Sequence, residues 1–302
     1  MKREEAIMKT PIFTGSAVAL ITPFDRQGAV DIPALRRLIA WQLEAGTQAL
    51  VLCATTGECA TLSDREWACI LSAALEEAGG RVPIIAGTGR NDTLHSLRLC
   101  RQARQLGVQG VLTVTPYYNK TTQQGLIRHF TYLAEHGDMP MLLYNVPSRT
   151  GMTIQAETYA ALAEHPNIYG VKEASGDFSL MLKLRRLCPP DFALYSGNDD
   201  QIVPILALGG LGVISTMANV VPAETQSICQ KMQEGDLKGA AAEQLRLQPL
   251  IEALFAEVNP IPVKAALARM GRAEGTLRLP LTEIGDAAGA RLESVLKALS
   301  LV

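Results

Sequence analysis

Lys172 follows the apolar run Ile168-Tyr169-Gly170-Val171, a position that invites chemistry. An amine at a strand end, facing a partly desolvated mouth, is held more readily uncharged, and an uncharged amine attacks a carbonyl to give an imine. Imine chemistry also needs groups that move protons and groups that hold the substrate. Met141-Leu142-Leu143-Tyr144-Asn145-Val146-Pro147 ends another apolar run in a phenol, and Thr115-Pro116-Tyr117-Tyr118-Asn119 adds two more. Cys53-Ala54-Thr55-Thr56-Gly57-Glu58 offers two hydroxyls beside a glycine. Hydroxyls and backbone N–H groups there suit a small carboxylate, and a tyrosine suits proton transfer to a carbinolamine. Each segment alone has a plain structural explanation: a lysine stem covering the strand or paired with Glu173, rim aromatics, an ST-turn. Together Lys172, Tyr144, Thr55 and Tyr118 form a kit for imine formation and proton transfer, provided one fold assembles them.

The chain's alternation supplies such a fold. Short apolar runs at 16–21, 49–52, 82–86, 110–114, 140–144, 168–172, 193–196 and 212–215 alternate with amphipathic stretches. Helix starts are marked by Asp31-Ile32-Pro33, by Ser63-Asp64-Arg65-Glu66 (a capping box) and by Asn91-Asp92-Thr93. Eight strand and helix rounds without a linker predict an α/β fold, a closed (β/α)8 TIM barrel. Helical patterns at 222–234, 238–256, 262–270 and 286–299 follow. The first completes the barrel, and the rest form a C-terminal helical extension entered through Asn259-Pro260-Ile261-Pro262. The expected division is a catalytic barrel over 1–235 and an extension over 236–302 packed on it. Barrel enzymes build their sites at the C-terminal strand ends, which places Thr55, Tyr118, Tyr144 and Lys172 at one rim, on strands two, four, five and six.

Composition narrows the partners. Of 302 residues 48% are hydrophobic and 19% charged, enough to bury one large core. With 28 basic against 30 acidic residues the formal net charge is −2, so nothing draws the protein to nucleic acid or an anionic membrane. The start, from Met1 to Lys9, has no apolar core or cleavage site of a leader, which predicts a cytoplasmic protein. The apolar stretch 202–214 is too short and too broken by Pro204, Gly209, Gly210 and Gly212 to span a bilayer, and is expected to be helix, turn and strand. Cys53, Cys59, Cys69, Cys100, Cys188 and Cys229 form no C-x-x-C pair, and His95, His129, His136 and His165 fall in or beside helices, so no metal is inferred. Gly87-Thr88-Gly89 and Gly209-Gly210-Leu211-Gly212 lack a dinucleotide fingerprint and are expected to be turns. Asp199 and Asp200 after strand seven would repel phosphate, which favours a small carboxylic acid as substrate.

These segments, with Phe13-Thr14-Gly15-Ser16, Tyr144-Asn145-Val146-Pro147-Ser148-Arg149-Thr150-Gly151, Val171-Lys172-Glu173-Ala174 and Asn259-Pro260-Ile261-Pro262-Val263-Lys264, resemble the dihydrodipicolinate synthase family of pyruvate-dependent class I aldolases nearly end to end. The resemblance implies condensation of pyruvate with aspartate semialdehyde at the start of lysine biosynthesis by the diaminopimelate route, without a cofactor. It implies that Lys172 forms the Schiff base, and that Tyr144, Thr55 and Tyr118 relay protons, with Tyr118 reaching into a neighbouring subunit's site. Thr56 and Tyr144 would hold pyruvate, Gly197 and Ile214 would line its pocket with backbone groups, and Arg149 would bind the semialdehyde carboxylate. A homodimer, or a homotetramer built as a dimer of dimers, follows from the same likeness. Where the family most often has glycine, this chain has Ala54. Positions matching the lysine feedback site are Cys59, Ala60, Asp64, Trp67, Asn91, His95 and Tyr117. Sensitive members commonly carry histidines at 64 and 67 and glutamate at 95, so weak or absent lysine inhibition is expected.

The enzymatic alternative is another pyruvate-dependent aldolase, such as N-acetylneuraminate lyase or a 2-keto-3-deoxy sugar acid aldolase. These relatives generally lack the Ser148-Arg149-Thr150-Gly151 setting. A non-catalytic ligand-binding barrel is the alternative from another class, and imine formation separates it from both.

Overall fold

The computed structural model describes residues 8–302; the segment 1–7, most of the start read above as lacking a leader, lies outside the described residues. Among the described residues eight parallel strands close into a barrel in sequential order. They are β1 (Gly15–Ala19), β2 (Ala49–Leu52), β3 (Ile84–Gly87), β4 (Gly110–Val114), β5 (Met141–Asn145), β6 (Ile168–Glu173), β7 (Ala193–Ser196) and β8 (Gly212–Ser215). Four strands have the bounds expected from the sequence. β1 stops short of Ile21 because the Ile21 amide is taken by Asn219 Oδ1 at 3.1 Å instead of the ladder. β3 starts after Pro83, which has no N–H to donate. β6 runs one residue further, since Glu173 still pairs with Asn145 and Ser196.

The strands read as continuous apolar runs because both faces are covered. Alternate residues such as Ala17, Ala19, Val51, Ile85, Leu112, Leu142 and Ile214 fill the barrel interior, while Val18, Leu50, Leu52 and Leu143 belong to a second cluster under the helices. Phe13 stacks on Tyr195 inside, with ring centroids 4.3 Å apart, and the Tyr195 hydroxyl donates to the Phe13 carbonyl at 2.6 Å.

The outer layer holds α1 (Ile32–Glu44), α2 (Asp64–Ala78), α3 (Thr93–Leu106), α4 (Gln123–Gly137), α5 (Pro147–Thr150), α6 (Ala156–Ala163), α7 (Phe178–Leu187), α8 (Ile202–Ala207) and α9 (Pro222–Gln233). Three starts follow the expected capping chemistry. Asp31 accepts from the Ala34 amide, Asp92 from the Leu94 amide, and Ser63 and Glu66 cap each other's backbone reciprocally. The apolar stretch 202–214 is indeed helix, turn and strand, as α8 leads into β8. Then α10 (Leu237–Leu254), α11 (Ile261–Arg269) and α12 (Asp286–Ala298) follow, α10 packing on α9 and α12 on α10 and α11. Among the described residues no helix is long and apolar enough to cross a membrane.

Candidate active site

The register of β5 on β6 sets Tyr144 opposite Lys172 and Asn145 opposite Glu173. Side chains alternate across a strand, so the first pair faces inward and the second faces the helices. Lys172 is 5% exposed, and its Nζ lies 4.6 Å from the centroid of the Tyr144 ring. Glu173 is directed away from it. Its carboxylate accepts from Asn145 Nδ2 at 3.0 and 3.1 Å, from the Tyr159 hydroxyl at 2.7 Å and from the Ser175 amide at 2.8 Å. Burial pushes the Glu173 carboxyl up, and these donors pull against that shift. The carboxylate next to Lys172 in sequence is thus engaged on the outside of the wall.

Asp199 has a role that the sequence reading missed. It is buried at the end of β7, where its Oδ2 accepts from the amides of Thr216 at 3.2 Å and Met217 at 2.8 Å. It thereby fixes the turn leaving β8. Burial raises its carboxyl, while the Ser215 hydroxyl, the Met217 amide and the charge of Lys172 act in the opposite sense. Its neighbour Asp200 is exposed, so the two do not act as one acidic patch. The only sequence signal was position, a carboxylate three residues after the end of a barrel strand.

A cavity of about 280 Å³ opens over the ends of β2, β4 and β5, lined by Thr55, Cys59, Tyr117, Arg149 and Asn259 among others. Thr55 also borders a small inner void of about 20 Å³ lined by Tyr144, so it stands between the outer cavity and that phenol. Thr56 is buried, and its Oγ1 accepts from Asn259 Nδ2 at 2.9 Å. Arg149 lies on α5, a single turn started by Pro147 and ended by Gly151 at φ 68°. Its guanidinium donates to the Asn259 carbonyl at 3.0 Å. Asn259 therefore touches both residues assigned to substrate carboxylates, through its side chain and its backbone.

Ile214 is buried inside β8, and the Gly197 amide donates to the Glu173 carbonyl at 2.7 Å. Gly87 and Gly89 do not form the expected turn: Gly87 is the last residue of β3, and Gly89 lies in the extended segment that leaves it. A Cβ on Gly87 would stand 2.2 Å from the Cys53 carbonyl oxygen, and one on Gly89 2.3 Å from the Val114 nitrogen. Their lack of a side chain lets β2, β3 and β4 converge beneath the mouth.

Within one chain Lys172 lies against Tyr144 and Thr55 shares the inner void with Tyr144, whereas Tyr118 is turned outward. That tyrosine is 92% exposed, on a backbone held at φ 68°. The residues matching the feedback site divide. Cys59, Ala60 and Tyr117 line the Arg149 cavity, and burial raises the Tyr117 phenol. The Asn91 carbonyl accepts from Asn119 Nδ2 at 2.8 Å. His95 Nε2 meets Asp64 Oδ1 at 3.0 Å, and Trp67 is wholly buried with its indole N–H donating to the Gly87 carbonyl at 3.0 Å. Trp67 is a core residue, not part of a ligand surface.

The model of the dihydrodipicolinate synthetase family matches residues 12–299. The chain belongs to this family. A 4-hydroxy-tetrahydrodipicolinate synthase from a Thermoanaerobacter species is 46% identical over 293 residues, covering 97% of this chain and 98% of its own. One from Caldicellulosiruptor saccharolyticus is 50% identical over 276 residues, covering 91% and 93%. The crystal structure of dihydrodipicolinate synthase from Thermotoga maritima superposes with a TM-score of 0.94 at 42% identity, covering 96% of this chain and all of that one, 100%. The family match thus runs from just before β1 to the end of α12, and the expected closed barrel with C-terminal helices is the fold observed.

Proposed function

We propose that the protein is a lyase that condenses pyruvate with L-aspartate 4-semialdehyde, the 4-hydroxy-tetrahydrodipicolinate synthase reaction, through an imine on Lys172. The observation that carries this reading is Lys172 facing Tyr144 inside the barrel, with Thr55 joining them to the cavity that holds Arg149. The Lys172 amine adds to C2 of pyruvate, and the carbinolamine loses water to give the protonated imine. That imine withdraws electrons so that a C3 proton can leave, forming an enamine. Enamine carbon attacks the aldehyde, whose oxygen takes up a proton. The semialdehyde's own amine then attacks C2, closing the ring and expelling Lys172 as the free amine.

Tyr144 is placed to pass the protons of carbinolamine collapse, and Thr55 links it toward the outer cavity. Thr56 suits the pyruvate carboxylate, with backbone at Gly197 and Ile214 closing that end. Arg149 suits the semialdehyde carboxylate, since a guanidinium binds a carboxylate through two parallel hydrogen bonds. A longer hydroxylated sugar acid has less use for a cation there, which favours the synthase over the aldolase alternatives. Tyr118, exposed on a left-handed backbone, suits a residue completed by a second copy, so the working unit in the cytoplasm is a homodimer or a dimer of such dimers. The Asp64 and His95 pair engages the nearby carboxylate, which supports weak or absent inhibition by lysine.

Borohydride reduction in the presence of pyruvate, followed by peptide mass spectrometry, tests the reading. The expected result is one pyruvate-derived adduct, on Lys172, and none in Lys172→Ala. An adduct elsewhere, or none in the unaltered protein, removes the assignment.

A further inference from the structure

Two cations from the C-terminal segment, a buried Lys264 and a half-buried Arg278, lie against the turn that carries Thr55 and Thr56. Glu58 follows these residues directly, at φ 52°, a left-handed backbone that a glutamate adopts only under constraint. Its carboxylate is 1% exposed and forms an ion pair with Lys264 of α11, which is 0% exposed. The other oxygen accepts from the Arg278 amide at 3.1 Å. Lys264 Nζ also donates to the Thr276 carbonyl at 2.8 Å and lies 4.0 Å from the Phe24 ring centroid. Arg278 donates to the carbonyls of Thr61 at 2.8 Å and Gly28 at 2.9 Å, and its guanidinium sits 4.2 Å from the same ring. The turn is thus gripped on its side chain at Glu58 and on its backbone at Thr61.

A buried ion pair adds little net stability, because desolvation offsets most of the attraction, whereas it fixes geometry well. Burial lowers the Lys264 amine to about 8, and the Glu58 carboxylate opposes that shift. The grip ends two residues from the Thr56 hydroxyl, and the segment that supplies it begins at Asn259, which bonds Thr56 and Arg149. Nothing in the imine chemistry uses Glu58 or Lys264.

We propose that Glu58 and Lys264 are a positioning pair, through which the C-terminal helices set the Thr55 and Thr56 hydroxyls for pyruvate. The inference rests on the imine reading above. A pair serving only stability would shift the melting temperature and leave pyruvate kinetics alone; a positioning pair moves the kinetics of folded protein.

The test compares the full-length protein with Glu58→Asp, which keeps the charge and shortens the arm, and with the double variant Glu58→Gln/Lys264→Met, which removes both charges together. Thermal melting, pyruvate KM, kcat and the rate of borohydride-trapped imine are measured for each. Folded variants are expected to form imine roughly tenfold or more slowly at limiting pyruvate, with KM for pyruvate raised more than that for the semialdehyde. Imine rate and pyruvate KM within about twofold of the unaltered protein, in either folded variant, overturn the proposal. Should the double variant not fold, Glu58→Asp decides alone. An adduct on Lys172 with unchanged variant kinetics sinks only the positioning role, whereas no adduct in the unaltered protein sinks the imine reading and this one with it.

Discussion

At the scale of single residues, neighbours in sequence have opposite fates. Lys172 and Glu173 are adjacent, yet one faces the barrel interior and the other a network of Asn145, Tyr159 and Ser175. A strand's twofold alternation makes that separation, and it keeps the Lys172 amine free of the carboxylate beside it. Arg149 illustrates the reverse case, a residue far along the chain from Asn259 that is held by its carbonyl. Its guanidinium keeps further N–H groups for a ligand carboxylate. Arg149→Ala is expected to raise KM for the semialdehyde roughly thirtyfold, as befits a charge-assisted hydrogen-bonded pair, while imine trapping with pyruvate alone stays unchanged. Steady-state kinetics beside the trapping assay check this, and slowed imine formation would assign Arg149 to pyruvate instead.

At the scale of elements, local sequence chemistry works where its partners are close in the chain. The caps of α1, α2 and α3 were legible because a helix start needs only a side-chain acceptor within three residues. The end of β1 was not, since the group that ends it, Asn219, lies 198 residues away. The interior of α4 carries a consequence for pH. His129 is 7% exposed, with Nδ1 2.9 Å from the Thr93 hydroxyl, and burial pushes its pKa down to about 4. Below an ordinary histidine pKa near 6.5 the unfolded chain takes up a proton that the folded chain refuses, so stability falls as pH drops from about 6.5 to 4. The loss attributable to this residue is at most about 3 kcal/mol. Urea titrations across that window should show a shallower decline for His129→Phe than for the unaltered protein. Parallel slopes would place the proton uptake elsewhere.

At the scale of the whole molecule, the site draws on distant parts of one chain and, in the proposed assembly, on a second copy. Thr56 is bonded by Asn259, 203 positions later, and Glu58 by Lys264 and Arg278. The C-terminal helices therefore bear on the mouth of the barrel as well as on its flank. Tyr118 faces outward from the same mouth. If it serves a neighbour's site, Tyr118→Phe and Lys172→Ala proteins, each inactive or nearly so, regain activity when unfolded together and refolded. In a mixed dimer one site then has an intact lysine and receives an intact tyrosine. No recovery, with mixed dimers shown by mass, would place the tyrosine's role within its own chain.

The sequence by itself determined the eight strands, their order, the starts of α1, α2 and α3 and which residues are candidates for imine chemistry. These follow from apolar periodicity, capping and strand-end position, all properties of short segments. Tertiary structure alone decided that Lys172 stands free of Glu173, that Trp67 belongs to the core, that Asp199 fixes the turn after β8, and that Asn259, Lys264 and Arg278 brace the threonine turn. Each of those outcomes depends on which groups a closed barrel and its added helices bring within hydrogen-bonding distance across scores of residues, and no local pattern encodes that distance.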